Sequence, residues 1–238
     1  MADALSPGFD WFTGKPVTVP GGGNIAMVGS SGSGSSETMK FMVADAVDKG
    51  WDVALSTPKY DHPGGEFPGA AEHPNVDLLY HHTPGQDFRD LGLGLGHWID
   101  GVPTGTPGRP RLIVLDSFQA TALGDEQIEK PCLGALARLL GNRDTTVLMR
   151  IQVIGESHLP HALARSIDTV ISMGRVDAAY AERVMDLVGT RIGASDLFAF
   201  TRVGKPLGYG VMATAEKITT MHTPKTESLN GADTTHRV

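Results

Sequence analysis

The eight residues Gly29-Ser30-Ser31-Gly32-Ser33-Gly34-Ser35-Ser36 constrain this chain more than any other stretch. An apolar run, Ile25-Ala26-Met27-Val28, leads into them. Behind them Met39, Met42, Val43, Ala46 and Val47 recur with the period of an amphipathic helix. Strand, glycine-rich turn, helix is the setting of a phosphate-binding loop. Gly29 and Gly34 carry its G-x-x-x-x-G spacing, Ser36 supplies its hydroxyl, and Glu37 follows. Ser35 stands where the lysine of such a loop belongs. A flexible Gly/Ser linker shares this composition, but a linker rarely lies directly between an apolar strand and a periodic helix.

The chemistry of such a loop is layered. Successive backbone N–H groups curl around phosphate oxygens, and the helix N-terminus adds partial positive charge. The lysine normally neutralises the β- and γ-phosphates. With Ser35 there, the cradle of residues 29–37 is retained and its strongest cation is missing. ATP and Mg²⁺ are the expected cofactors, with Ser36 as a ligand of the metal.

The rest of the composition bounds the answer. A chain of 238 residues, 40% of them hydrophobic, is one domain with a full core. No apolar run approaches the ~18 residues of a membrane span. Met1-Ala2-Asp3-Ala4-Leu5 has neither a basic nor an apolar leader, so no signal peptide is expected. Cys132 is the only cysteine, which excludes an intrachain disulfide and a cysteine zinc site and suits a reducing cytoplasm. The net charge of −7 gives no overall attraction to DNA. DNA contact would need a local basic face or a ring of subunits.

Taken in order, residues 1–23 read as an extended lead-in with a strand at Pro16–Val19. Residues 24–215 read as the main domain. Strands are expected at 24–28, 51–56, 76–80, 112–116, 146–152 and 168–173. Helices are expected at 36–49, 86–99, 127–140 and 178–188. The first strand–helix–strand unit implies a parallel pair. Residues 197–201 and 209–213 read as a closing hairpin around Gly204-Lys205-Pro206, and the polar residues 216–238 as a mostly disordered tail. Alternating strands and helices give a doubly wound α/β sandwich, which binds ligands at the carboxyl ends of its strands.

Three features converge on that edge: the loop, Asp116 and Gln152. Asp116 ends the apolar strand Leu112-Ile113-Val114-Leu115 and is placed to hold Mg²⁺; a cap or surface carboxylate is the plainer alternative. Ser117 follows it, so no acidic base stands next in the chain. Gln152 reads equally as a γ-phosphate sensor and as a solvent-facing strand end. Lys59, after the second strand, reads more readily as a solvated lysine than as a phosphate or DNA contact. Arg150, Arg165 and Arg175 are candidates to reach a neighbouring subunit's nucleotide, though each reads first as a surface arginine. His62, His73 and His81-His82 lack i, i+4 spacing and read as exposed histidines rather than metal ligands.

The order of these motifs resembles the FtsK/HerA superfamily of DNA-translocating ATPases. Gly29–Ser36 is similar to its Walker A loop. Residues 49–59 resemble a family stretch ending in D-P-K, with Thr57 in place of the aspartate. Leu112–Asp116 is similar to Walker B, Met149-Arg150-Ile151-Gln152 to a strand ending in A-T-Q, and Pro160 to Gly174-Arg175 to a segment ending in a Gly-Arg pair. Ile113-Val114-Leu115-Asp116-Ser117 also resembles the Walker B of RecA/KaiC-type ATPases, where serine after aspartate is normal. The resemblance implies a RecA-like P-loop NTPase fold, a three-layer sandwich with a mostly parallel central sheet. It implies catalytic roles for Asp116 and Gln152, Mg²⁺ on Ser36 and Asp116, and work on DNA in a homo- or hetero-oligomer.

Both the Walker A lysine and the Walker B glutamate are serines here. The expected function is therefore a weak or non-hydrolysing nucleotide-binding component, a pseudo-ATPase, of a DNA translocation, packaging or transfer assembly. The alternatives are an active DNA translocase whose missing cation comes from elsewhere, and an interaction protein with no nucleotide site.

Overall fold

The computed structural model of the chain describes residues 4–29, 32–57, 67, 70, 73–80, 88–106, 108–116, 126–151, 165–174 and 208–225. Its strands are β1 (Leu5–Asp10), β2 (Pro16–Val19), β3 (Asn24–Gly29), β4 (Asp52–Thr57), β5 (Val76–Tyr80), β6 (Arg111–Leu115), β7 (Thr145–Ile151), β8 (Thr169–Met173), β9 (Tyr209–Thr214) and β10 (Ile218–His222). The helices among the described residues are α1 (Ser35–Asp48), α2 (Phe88–Gly101) and α3 (Glu126–Leu140).

The strands form one sheet in the order β2-β1-β10-β9-β8-β3-β7-β6-β4-β5. From β8 to β5 every pairing is parallel. From β8 to β2 every pairing is antiparallel. This is the expected α/β architecture with a mostly parallel sheet. Strands β3 and β4 do run the same way, but β7 and β6 lie between them, so the first strand–helix–strand unit does not make an adjacent pair.

Side-chain alternation sorts the core into two layers. Ile25 and Met27 of β3, Val53 and Leu55 of β4, and Leu112 and Val114 of β6 pack with Met39, Met42, Val43, Ala46 and Val47 of α1. Ala26 and Val28, Ala54, and Ile113 and Leu115 point the other way, into Leu95 and Ile99 of α2 and Ala135, Leu136 and Leu139 of α3. The sheet is thus covered on both faces, which explains why β3 and β6 read as continuous apolar runs. Helix α1 ends where Gly50 takes φ +74°, a conformation open to glycine.

Two regions differ from expectation. Leu5–Asp10 is a strand although it contains Pro7 and Gly8; its register against β2 shifts between Leu5 and Gly8, an irregularity that accommodates both. Within the stretch expected to be a disordered tail, Ile218–His222 is a strand inserted between β9 and β1. Its Ile, Thr and Met side chains suit a pleated, half-buried surface. The expected helix at 178–188 and the strand at 197–201 lie outside the described residues.

Candidate nucleotide-binding site

The parity that sorts the core also builds the site. Thr57, Asp116 and Arg150 follow the α1-facing residues Leu55, Val114 and Leu148 by two, so all three side chains project toward α1 at the carboxyl edge of the sheet. Ser36 meets them from the first turn of α1.

Arg150 sits at the centre. Its Nε donates to Asp116 Oδ1 at 2.5 Å, and its Nη1 donates to Ser36 Oγ at 2.7 Å. Thr57 Oγ1 donates to the other carboxylate oxygen, Asp116 Oδ2, at 3.0 Å. Asp116 is fully buried and Arg150 is 3% exposed. An ion pair so far from water is held at low effective dielectric, where either charge alone would carry a large desolvation cost. Arg150 is therefore not the surface arginine the sequence suggests. The signal for it was present: a charge inside the apolar run Val147-Leu148-Met149-Arg150-Ile151 requires a partner if the strand is buried.

Two glycines in the described part of the loop take left-handed backbone. Gly32 and Gly34 have φ of +75° and +96°. Gly34 caps α1 and its carbonyl accepts from the Thr38 amide at 3.0 Å. A Cβ on Gly34 would lie 3.0 Å from the Cα and N of Gly208, and one on Gly29 would collide with Ser33 Oγ. Ser33 Oγ is buried and has no hydrogen-bond partner. Ser35, in the lysine's place, is 5% exposed and opens the helix. Glu37 pairs with Lys40 at 2.8 Å. The backbone amides at the start of α1 and the unpartnered Ser33 hydroxyl suit a polyphosphate such as that of ATP.

A further contact braces the loop from behind. Thr38 Oγ1 shares a 2.9 Å hydrogen bond with Thr223 Oγ1, just beyond β10, and Thr223 Oγ1 donates to the Pro7 carbonyl at 2.8 Å.

Of the remaining candidates, His73 accepts from the Asn75 amide on Nδ1 at 3.2 Å, and Arg165 is exposed. No group of three or more metal-binding side chains occurs among the described residues. Ser30, Ser31, Lys59, His62, His81, His82, Ser117, Gln152 and Arg175 lie outside the described residues. No helix among the described residues is long and apolar enough to cross a membrane.

No protein-family model and no curated protein sequence matches the chain. Solved structures do. The DNA-packaging ATPase B204 of Sulfolobus Turreted Icosahedral Virus superposes with a TM-score of 0.59 at 10% identity, over 86% of this chain and 98% of its own. The cytoplasmic domain of the Type VII secretion ATPase EccC of Thermomonospora curvata gives 0.61 at 17% identity, over 93% of this chain but only 28% of its own. The pCW3 conjugation coupling protein TcpA, solved with ATPγS, gives 0.61 at 13% identity, over 92% of this chain and 64% of its own. The chain shares the α/β fold of these proteins. At these identities the likeness defines the fold alone.

Proposed function

We propose that this protein is a divergent FtsK/HerA-like member of the P-loop ATPase fold that binds nucleotide weakly and hydrolyses it slowly or not at all. It would serve as a cytoplasmic component of a DNA translocation, packaging or transfer assembly, in a homo- or hetero-oligomer. The observation that carries this reading is the retained loop without its cation: Gly34 keeps the left-handed turn at φ +96°, while buried Ser35 opens the helix in the lysine's place. Asp116 is retained, and Gln152 remains the proposed sensor of the γ-phosphate. Support for the DNA context comes from the packaging and conjugation proteins among the similar structures.

Phosphoryl transfer depends on charge stabilisation and on a positioned nucleophile. Ser35 cannot neutralise a γ-phosphate, and Ser117 cannot take a proton from water at neutral pH. Losing one preorganised contact commonly costs ~10²–10³ in rate.

The test is ATP turnover against protein concentration, with and without duplex DNA, alongside equilibrium nucleotide binding. Measurable binding with turnover near background is expected. A DNA-stimulated rate of about 1 s⁻¹ or faster would promote the active-translocase reading instead. No nucleotide binding at any concentration would leave an interaction protein.

A further inference from the structure

We infer that Arg150 occupies the place of the divalent cation, so that this protein's site between Ser36 and Asp116 takes no metal. The inference rests on the loop being the nucleotide site proposed above. In that reading Ser36 and Asp116 are the two residues that would share Mg²⁺. Instead both are held by one side chain, with the guanidinium at 2.7 Å from Ser36 Oγ and 2.5 Å from Asp116 Oδ1.

Three physical points set the residues present against a metal. Mg²⁺ needs oxygen ligands at about 2.1 Å in near-octahedral array. Asp116 Oδ1 and Ser36 Oγ already receive N–H groups from Arg150, and Oδ2 accepts from Thr57. A divalent ion arriving there would meet a guanidinium that does not lose its proton at any ordinary pH. Displacing Arg150 would strand a charge that is 3% exposed. The strand register makes the arrangement intrinsic to the fold. Arg150 extends from β7, which lies between β3, which feeds the loop, and β6, which Asp116 directly follows.

A fixed single positive charge then does part of what a metal does in this fold. It neutralises Asp116 and presents its Nη1–H edge to the Ser36 hydroxyl, where a phosphate would lie. Nucleotide would bind as the free polyphosphate, and chelation would not weaken it.

The experiment uses Mn²⁺ as the probe, followed by loss of its free-ion electron paramagnetic resonance signal. The full chain, Arg150→Ala, and the neutral pair Arg150→Gln with Asp116→Asn are compared without nucleotide and again with ADP. The wild-type chain is expected to bind no more Mn²⁺ than the neutral pair. Arg150→Ala, which uncovers the carboxylate, is expected to gain more than about tenfold in Mn²⁺ affinity. Mn²⁺ binding by the wild-type chain that disappears in the neutral pair would overturn the inference, as would a folded Arg150→Ala that gains nothing. Should Arg150→Ala not fold, the wild-type comparison still decides. Because the metal is read without nucleotide, failure to bind ADP bears on the proposed function and not on this inference.

Discussion

Arg150 and Asp116 form an ion pair at 2.5 Å with both side chains buried, joining β7 to the end of β6 directly beneath the first turn of α1. Breaking it from one side strands a charge away from water. Arg150→Met is expected to lower unfolding free energy by about 3–5 kcal/mol, a large share of a domain's typical stability. The double variant Arg150→Met with Asp116→Leu is expected to recover most of that loss. Urea denaturation of both, with the midpoints compared, checks the pair.

Gly34 is a position where both the backbone and the neighbouring chain oppose a side chain. A valine there would combine a left-handed backbone with a Cβ against Gly208. Gly34→Val is expected to cost about 1–3 kcal/mol in stability and to abolish nucleotide binding. A folded Gly34→Val that binds ATP as well as the parent would remove the loop from consideration as a phosphate site.

Ser35→Lys restores the missing cation. The variant is expected to bind ATP more tightly by about 1–3 kcal/mol, the size of a charge-assisted hydrogen bond to phosphate. Calorimetric titration against the parent reads this directly; unchanged affinity in a folded variant would argue that phosphate does not lie at this turn.

Cys132 lies on α3 in the layer facing α2 and is fully buried. Burial pushes its thiol up to about 11, partly opposed by a hydrogen bond from the Gly96 backbone. Below the usual thiol range the group is protonated in folded and unfolded chains alike. Stability is therefore full below about pH 9 and falls as the pH rises toward 11, because only the unfolded chain ionises readily there. Alkylation at pH 8 is expected to be at least about a hundredfold slower in the native protein than in urea. Equal rates would show that the helix opens.

Removing residues 216–238 is expected to prevent folding rather than to trim a tail. The deletion takes out β10 and leaves β9 and β1 without the strand that joins them. Circular dichroism and proteolysis of the truncated chain test this. A stable, cooperative truncated domain would mean that β1 and β2 are dispensable to the rest.

Much of this fold was legible because burial on both faces writes a simple code. The apolar runs at β3 and β6, and the period of α1, follow directly from it. β1 and β10 were not legible, because Pro7 and Gly8 look like loop residues and Ile218-Thr219-Thr220-Met221-His222 is too polar to announce a strand; pairing across the chain, which no local window sees, makes both. At the site, the loop and Asp116 follow from spacing and from strand ends. Arg150 reads first as a surface arginine because an arginine is usually solvated, while its partner lies at the end of another strand, 34 residues away. A parity count along β7 would have aimed it at α1.

The contact from Thr223 to the Pro7 carbonyl joins residues 216 positions apart. Through Thr38, it ties the antiparallel flank of the sheet, where β1 pairs with β10, to the helix that carries the loop. During synthesis the loop and α1 emerge early, yet their brace arrives only when β9 and β10 have left the ribosome. Long-range pairings of this kind are slow to form. The glycine-rich loop is thus among the first parts of the chain to be made and among the last to be locked in place.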